Sequence, residues 1–439
     1  MMANLDSYTD HDIPSGSAAT KKIMDYVPRF SGAEKKRRWD GVREKMKTAN
    51  LDALVFLGND TFFDMGLVNV RYLTHIGSKA GTNALFFLDE DPIVWNALPH
   101  QQRPTNVHHH TQDWTSDIRP FLGLGDMISE LQSRGIDKER VGLIGFSSSI
   151  VTTPTLLHKD IVTLEEALPN LEFVPAGSMM EEMRLIKSEE ELAVMTEASR
   201  ISRLVVDKFI DYPKATMTEA ELWAEMIKTM IVNGAEPQVF FFMASGPVEH
   251  DGKELWHLLH GAEQPAVPSM RPLEKGDVIT AEWHVQYSGY LAATEFTVYL
   301  GDKAPQELKD IHKVNVECLE ASLESMKPGN TLREAWEAIR APAEKAGLDY
   351  VELGFHGHGM ASPEFPTVIY RPGYGPPSLN GSGIEDLVFE EGMVFGNNID
   401  LFNPNWKPDV GCMFGDMVVV RGNRAERLVD IPLRLPEVG

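Results

Sequence analysis

Residues 277–300 read Asp277-Val-Ile-Thr-Ala-Glu-Trp-His-Val-Gln286, then Tyr287-Ser-Gly289, then Tyr290-Leu-Ala-Ala-Thr-Glu-Phe-Thr-Val-Tyr-Leu300. Two apolar runs of strand length around a short turn containing glycine predict an antiparallel hairpin. Successive side chains of a strand point to opposite faces, so Glu282 and His284 share one face of the first strand. Glu295 stands in the second strand amid Ala292, Ala293, Thr294, Phe296 and Val298. Carboxylates in apolar strands are costly to bury unless they are partnered, so one shared site is a simpler account than two accidents; an exposed strand edge is the bland alternative.

Helix-start signals surround this hairpin. Ser188 with Glu191, Thr218 with Glu221 and Thr331 with Glu334 each have the spacing of a capping box. They predict helices running to about Ile210, to Val232 and to near Gly347. A helix-then-hairpin unit is thus expected twice, once before residue 305 and once after it, in an α+β domain. The first third alternates differently. Ala33 to Asn50 is helical in pattern, Leu51 to Leu57 is a buried strand, and Ala84 to Leu88 and Pro92 to Trp95 form a hairpin around Asp89-Glu-Asp91. A helix around Ile118 to Arg134 and a strand at Arg140 to Ile144 complete a small α/β domain.

A chain of 439 residues exceeds the size at which one core keeps growing, which points to two domains. The expected organisation is a tail at 1–32, an α/β domain at 33–180 and an α+β domain at 181–439. The formal net charge of -24 argues against a phosphate-backbone partner, because nucleic-acid binding draws on a basic surface. Two cysteines, Cys318 and Cys412, give neither a disulfide framework nor a cysteine metal site. The first twenty residues carry no apolar signal segment, and no run approaches the roughly 18 apolar residues of a spanning helix, so the expected location is the cytoplasm, without a membrane partner.

Candidate site residues lie beyond the hairpin as well. Gly354-Phe-His-Gly-His-Gly359 puts His356 and His358 on one side of a glycine-rich segment, where missing side chains let a ligand approach. His250, His257 and His260 are further candidates, and His108 to His110 read as a surface loop. Gly392 to Asp400 has the form of a strand whose far end turns polar, at Asn398 and Asp400. Gly415-Asp-Met-Val-Val-Val420 reads as a last buried strand headed by Asp416. With Arg371, these groups suit a small polar or zwitterionic ligand.

The order of motifs from about Lys35 to Gly422 resembles the creatinase and M24 aminopeptidase superfamily. The resemblance rests on Arg184-Leu-Ile-Lys-Ser188, Arg271-Pro-Leu-Glu-Lys-Gly-Asp277, Ser288-Gly-Tyr290, Lys327-Pro-Gly329, Gly357-His-Gly359 and Glu391-Gly-Met393, all in sequence. It implies a C-terminal pita-bread domain behind a smaller creatinase-like α/β domain. Metallopeptidases of the superfamily hold two divalent ions with two Asp, one His and two Glu. Those places fall here on Glu282, Ala293, His358, Asn398 and Gly415, so only Glu282 and His358 could still ligate, and a dinuclear peptidase is not expected.

The site pattern is most similar to creatinase and ectoine hydrolase, and the resemblance implies no metal and no cofactor. Creatinase's guanidinium-binding glutamate falls on Glu295, an active-site histidine on His358, and a substrate-contacting arginine near Arg371. Its later glutamate is Asn398 here. Its catalytic histidine falls near Glu263-Gln264, with His260 the nearest replacement, and the arginine lent by a partner subunit falls on Gly81, with Lys79 nearby. The leading expectation is therefore a homodimeric, metal-independent hydrolase of a C–N bond in a small amide, amidine or cyclic amidine. Glu295 and Glu282 would hold the substrate while His358 carries the proton. Two other readings stand beside it. One is a lyase like those acting on dimethylsulfoniopropionate, with one metal on Glu282, His284, Glu295 and His358; the other is a silent module that binds a peptide or protein.

Overall fold

A computed structural model describes residues 29–58, 65–77, 81–96, 112–136, 138–145, 156–236, 240–250, 253–255, 268–370, 384–407 and 410–439. Lys79, His108 to His110, His257, His260 and Arg371 lie outside the described residues, as does the side chain of His250. The chain divides into two compact units, with the boundary between Met183 and Arg184. No helix among the described residues is long and apolar enough to cross a membrane.

The first unit opens with α1 (Gly32–Ala49), capped by the Ser31 side chain and closed by Asn50 in the left-handed region. There follow β1 (Ala53–Gly58), α2 (Met65–Thr74), β2 (Thr82–Phe87), β3 (Ile93–Asn96), β4 (Asp117–Pro120), α3 (Gly125–Ser133), β5 (Arg140–Ile144), α4 (His158–Ala167), β6 (Glu172–Pro175) and α5 (Gly177–Leu185), whose last turn passes the boundary. The strands form one mixed sheet in the order β4-β3-β2-β1-β5-β6. Val55, Leu85, Trp95, Leu131, Leu143 and Leu164 are among the residues that close its core. The helix expected from Ile118 is corrected here. Residues 117–120 run parallel to β3, with Ile118 opposite Val94, and the helix begins only at Gly125, because Pro120 and the Gly123–Gly125 stretch interrupt helical backbone.

The second unit places α6 (Glu189–Asp211) and α7 (Glu219–Val232) before β7 (Phe240–Gly246), β8 (Val248–His250), β9 (Lys253–Leu255), β10 (Val278–Tyr287) and β11 (Tyr290–Leu300). It then places α8 (Gln306–Ser325) and α9 (Leu332–Ala346) before β12 (Asp349–Gly357), β13 (Glu364–Tyr370) and β14 (Val394–Phe402). The chain ends with β15 (Gly411–Met413), β16 (Met417–Arg421), β17 (Arg424–Arg427) and β18 (Glu437–Val438). All three capping boxes form, at Ser188, Thr218 and Thr331. The two helix-then-hairpin units build two sheets, β18-β11-β10-β7 and β13-β12-β14-β16-β17, with β15 paired to β14.

Each sheet is backed by a helix on one face. Trp283 of β10 packs edge-on to Phe209 of α6, and its indole N–H donates to Ser202, which also bonds Thr294 of β11. On the other sheet, Ser322 of α8 donates to Asn397 of β14, and Asn315 donates to the carbonyls of Ile399 and Cys412. Alternation then sends Glu282, His284 and Glu295 to the face of their sheet away from α6, and Gly396, Asn398 and Asp400 to the face of theirs away from α8. An antiparallel bridge between Glu295 and Gly415 joins the two sheets at that level.

A candidate active site between the two sheets

Glu282 and Glu295 are direct partners across the β10–β11 pair, so their side chains leave the hairpin side by side. Glu295 is buried. Its Oε1 accepts from the Asn398 amide at 2.6 Å and its Oε2 from the Ile399 backbone N–H at 3.4 Å. Burial, followed by the charges of Asp400, Glu282 and Glu352, holds the Glu295 carboxyl well above the usual carboxylate range. Asp400 is also buried, two residues beyond Asn398 on the same face of β14. The carboxyl groups of Glu282, Glu295 and Asp400 thus gather on the inner faces of the two sheets.

The imidazoles begin beside Glu282, on the same face of β10. His284 is buried, with its Nε2 3.5 Å from Glu282 Oε1. His358 follows the end of β12 and is fully enclosed, its ring centroid 5.9 Å from that of His284 and 4.5 Å from that of His356. His356 Nδ1 lies 3.0 Å from the Gly357 carbonyl, which fixes its own ring. Burial, then the His356 and His284 rings and the Lys187 ammonium, push His358 well below the usual imidazole range, so it is neutral near pH 7. A Cβ at Gly396 would overlap the His358 Nε2 edge, so that glycine is what allows the ring its position.

Two contributors escape a reading of the sequence. Ser362 Oγ stands 3.4 Å from His284 Nε2 and 3.3 Å from His358 Nε2, joining the two rings. Glu364 holds that segment in place: its Oε1 accepts from the amides of Met360 (3.0 Å) and Ala361 (3.2 Å) and from Arg184 Nε (3.1 Å), and its Oε2 from Lys187 Nζ (3.3 Å). Burial alone would raise the Glu364 carboxyl, but Lys187 and Arg184 bring it below the ordinary value. The signal that could have found it is a lone acid in Met360-Ala-Ser-Pro-Glu-Phe-Pro366, five residues after Gly359.

Two expectations are corrected. The glycines at 357 and 359 do not clear space for a ligand: a Cβ at Gly357 would lie 2.6 Å from the Phe365 carbonyl, and one at Gly359 2.9 Å from the Glu364 carboxyl carbon. Asp416 is a structural group, because Arg427 Nε (2.8 Å) and the amides of Val429 (3.1 Å) and Ile431 (3.2 Å) all donate to its carboxylate. Its strand is also not the last, since β17 pairs with β16.

Residues 193–422 match the family model for metallopeptidase family M24, and residues 38–186 match the creatinase/prolidase N-terminal domain. The chain belongs to metallopeptidase family M24. Among M24 relatives, it is 25% identical to the uncharacterized peptidase YqhT of Bacillus subtilis over 350 residues, 76% of this chain and 91% of that one. It is 25% identical to ectoine hydrolase of Halomonas elongata over 274 residues, 61% of this chain and 64% of the relative. It is 26% identical to the Xaa-Pro dipeptidase of Pyrococcus furiosus over 278 residues, 62% and 71%. In fold it resembles the Xaa-Pro dipeptidase from Bacillus anthracis, with a TM-score of 0.70 at 20% identity over 91% of this chain and 99% of that one. The prolidase from Pyrococcus horikoshii gives 0.69 at 20% identity, over 90% and 98%.

The two-ion centre of M24 metallopeptidases does not fit the residues of this member. Of the five ligand places, Ala293 and Gly415 offer no donor side chain, and the Asn398 amide nitrogen is already given to Glu295. At 415 a Cβ would overlap the Asn397 carbonyl and lie 2.9 Å from Glu295 Oε2, so the Glu295 carboxylate fills the room a ligand there would need. Among the described residues no group of three or more His, Cys, Asp or Glu is disposed to hold a metal ion, and Glu282, His284, Glu295 and His358 are all described.

Proposed function

We propose that this M24 protein is a hydrolase of a C–N bond in a small polar or zwitterionic substrate, an amide, amidine or cyclic amidine, working without a metal centre. The observation that carries the reading is the Glu295 carboxyl, buried beside Gly415 and oriented by Asn398. A carboxylate has about four lone-pair sites. Asn398 and Ile399 use two of them, leaving acceptor capacity for the N–H groups of a planar cationic head, with Glu282 and Asp400 adding charge. Neutral His358 is the group that handles the proton, because a neutral imidazole carries a proton on one nitrogen and a lone pair on the other. The likeness to ectoine hydrolase supports C–N chemistry of this kind. The likeness to Xaa-Pro dipeptidases supports amide hydrolysis too, while the replaced ligand places argue against their two-ion route.

A homodimer with the site near the subunit boundary, a cytoplasmic location, a catalytic role for His260 and substrate contacts from Lys79, Arg371, Asn398, His284, His356 and Asp400 belong to the same proposal. So do domain limits at 33–180 and 181–439. The test is turnover of a panel of small amides and amidines by the full chain and by Glu295→Gln. The reading expects Glu295→Gln to lose about 100-fold or more in kcat/KM, the scale of removing a group that stabilises the transition state. Turnover unchanged in that variant overturns it.

A further inference from the structure

Ser362 bears on which nitrogen of His358 carries its proton. A hydroxyl has a single proton, so between two ring nitrogens it donates to one and accepts from the other. Ser362 Oγ faces Nε2 of both His284 and His358. Glu282 Oε1 is near the same His284 Nε2, at 3.5 Å, and a carboxylate there favours an N–H over a lone pair. His284 therefore presents Nε2–H toward Glu282 and Ser362, Ser362 donates to His358 Nε2, and neutral His358 keeps its proton on Nδ1. That Nδ1 is enclosed and has no hydrogen-bond partner among the described residues. An enclosed N–H without an acceptor is costly, and such groups persist where a ligand completes them.

We propose that Ser362 is a positioning residue that fixes His358 in its Nδ1–H form, so that His358 meets the substrate as a hydrogen-bond donor at Nδ1, toward an oxygen or nitrogen acceptor. What the donor meets rests on the hydrolase reading; the tautomer itself does not. Glu282 and Ser362 address the same nitrogen of His284, so the three are not a nucleophilic triad, in which acid and hydroxyl use opposite ring nitrogens. Ser362 sets the ring and does not attack the substrate.

The experiment is long-range proton–nitrogen NMR of the full chain with nitrogen-15 histidine at neutral pH. The His358 signals are assigned by their loss in His358→Gln. The expected spectrum shows His358 protonated at Nδ1, Ser362→Ala shifting its population toward Nε2–H, and Ser362→Thr, which keeps the hydroxyl, restoring the parent pattern. Protonation at Nε2 in the parent protein, or an unchanged tautomer in Ser362→Ala, overturns the proposal. Should Ser362→Ala fail to fold, the parent and Ser362→Thr spectra still decide. None of these outcomes depends on turnover, so failure of the hydrolase reading, tested with Glu295→Gln, is distinguishable from failure of this one.

Discussion

Gly415 and Glu295 make one unit: the missing side chain at 415 is the space the carboxyl occupies. Gly415→Ala is expected to cost about 1–3 kcal/mol, the range of overpacking a well-filled core, because neither the Asn397 carbonyl nor the bridged Glu295 backbone can yield freely. A lowered denaturant midpoint at unchanged slope reads this out, and a variant as stable as the parent contradicts it. The raised Glu295 carboxyl also gives binding a pH dependence. It stays protonated where an ordinary glutamate has ionised, and a cation binds the ionised form, so a bound cationic head displaces a proton. Affinity for acetamidine or guanidinium should therefore rise with pH through that range, and Glu295→Gln should flatten the slope. Calorimetry in buffers of different ionisation enthalpy measures the released proton; zero release in the parent contradicts the assignment.

The segment between β12 and β13 owes its shape to one buried acid. Removing one partner from a buried ion pair leaves uncompensated charge, typically costing about 3–5 kcal/mol. Glu364→Ala removes the buried carboxylate that Arg184 and Lys187 share and the acceptor of the Met360 and Ala361 amides, so a loss of that size in chemical denaturation is expected. A loss below about 1 kcal/mol, the level of an exposed pair, would remove Glu364 from this role. Elements announced by local chemistry were legible in the sequence. Ser188, Thr218 and Thr331 each have their glutamate three residues on, and the 277–300 hairpin carries its alternation and its turn. What depends on long-range register was not. Ser362 acquires meaning only when β10 brings His284 to it, Asp416 only when residues 427–431 fold back onto it, and the strand at 117–120 only when β3 offers its edge. Arg184-Leu-Ile-Lys187 was legible as a motif of the family, but not as the cation pair for an acid 177 residues beyond Lys187.

Across the whole molecule, buried histidines set the response to acid. Burial pushes His312 of α8, edge-on to Phe414, from 6.5 down to about 4. Below pH about 6.5 the unfolded chain takes up a proton that the folded unit refuses, so this histidine adds nothing above that pH and subtracts stability as pH falls toward 4. The slope is about 1.4 kcal/mol per pH unit and the total about 3 kcal/mol. His312→Leu should flatten that part of the stability profile, measured as denaturation midpoint against pH; an identical profile contradicts the assignment. At the same scale, both matched family models were legible as a resemblance from motifs spread over nearly the whole chain, while the substrate was not, since the places that would contact it are among those that differ. The central claim is that carboxylates and imidazoles have replaced the two-ion centre. Elemental analysis of the purified full chain, before and after incubation with excess manganese and zinc followed by desalting, tests it most directly. The account predicts well under one ion per chain in both samples, and one or two ions retained per chain would contradict it.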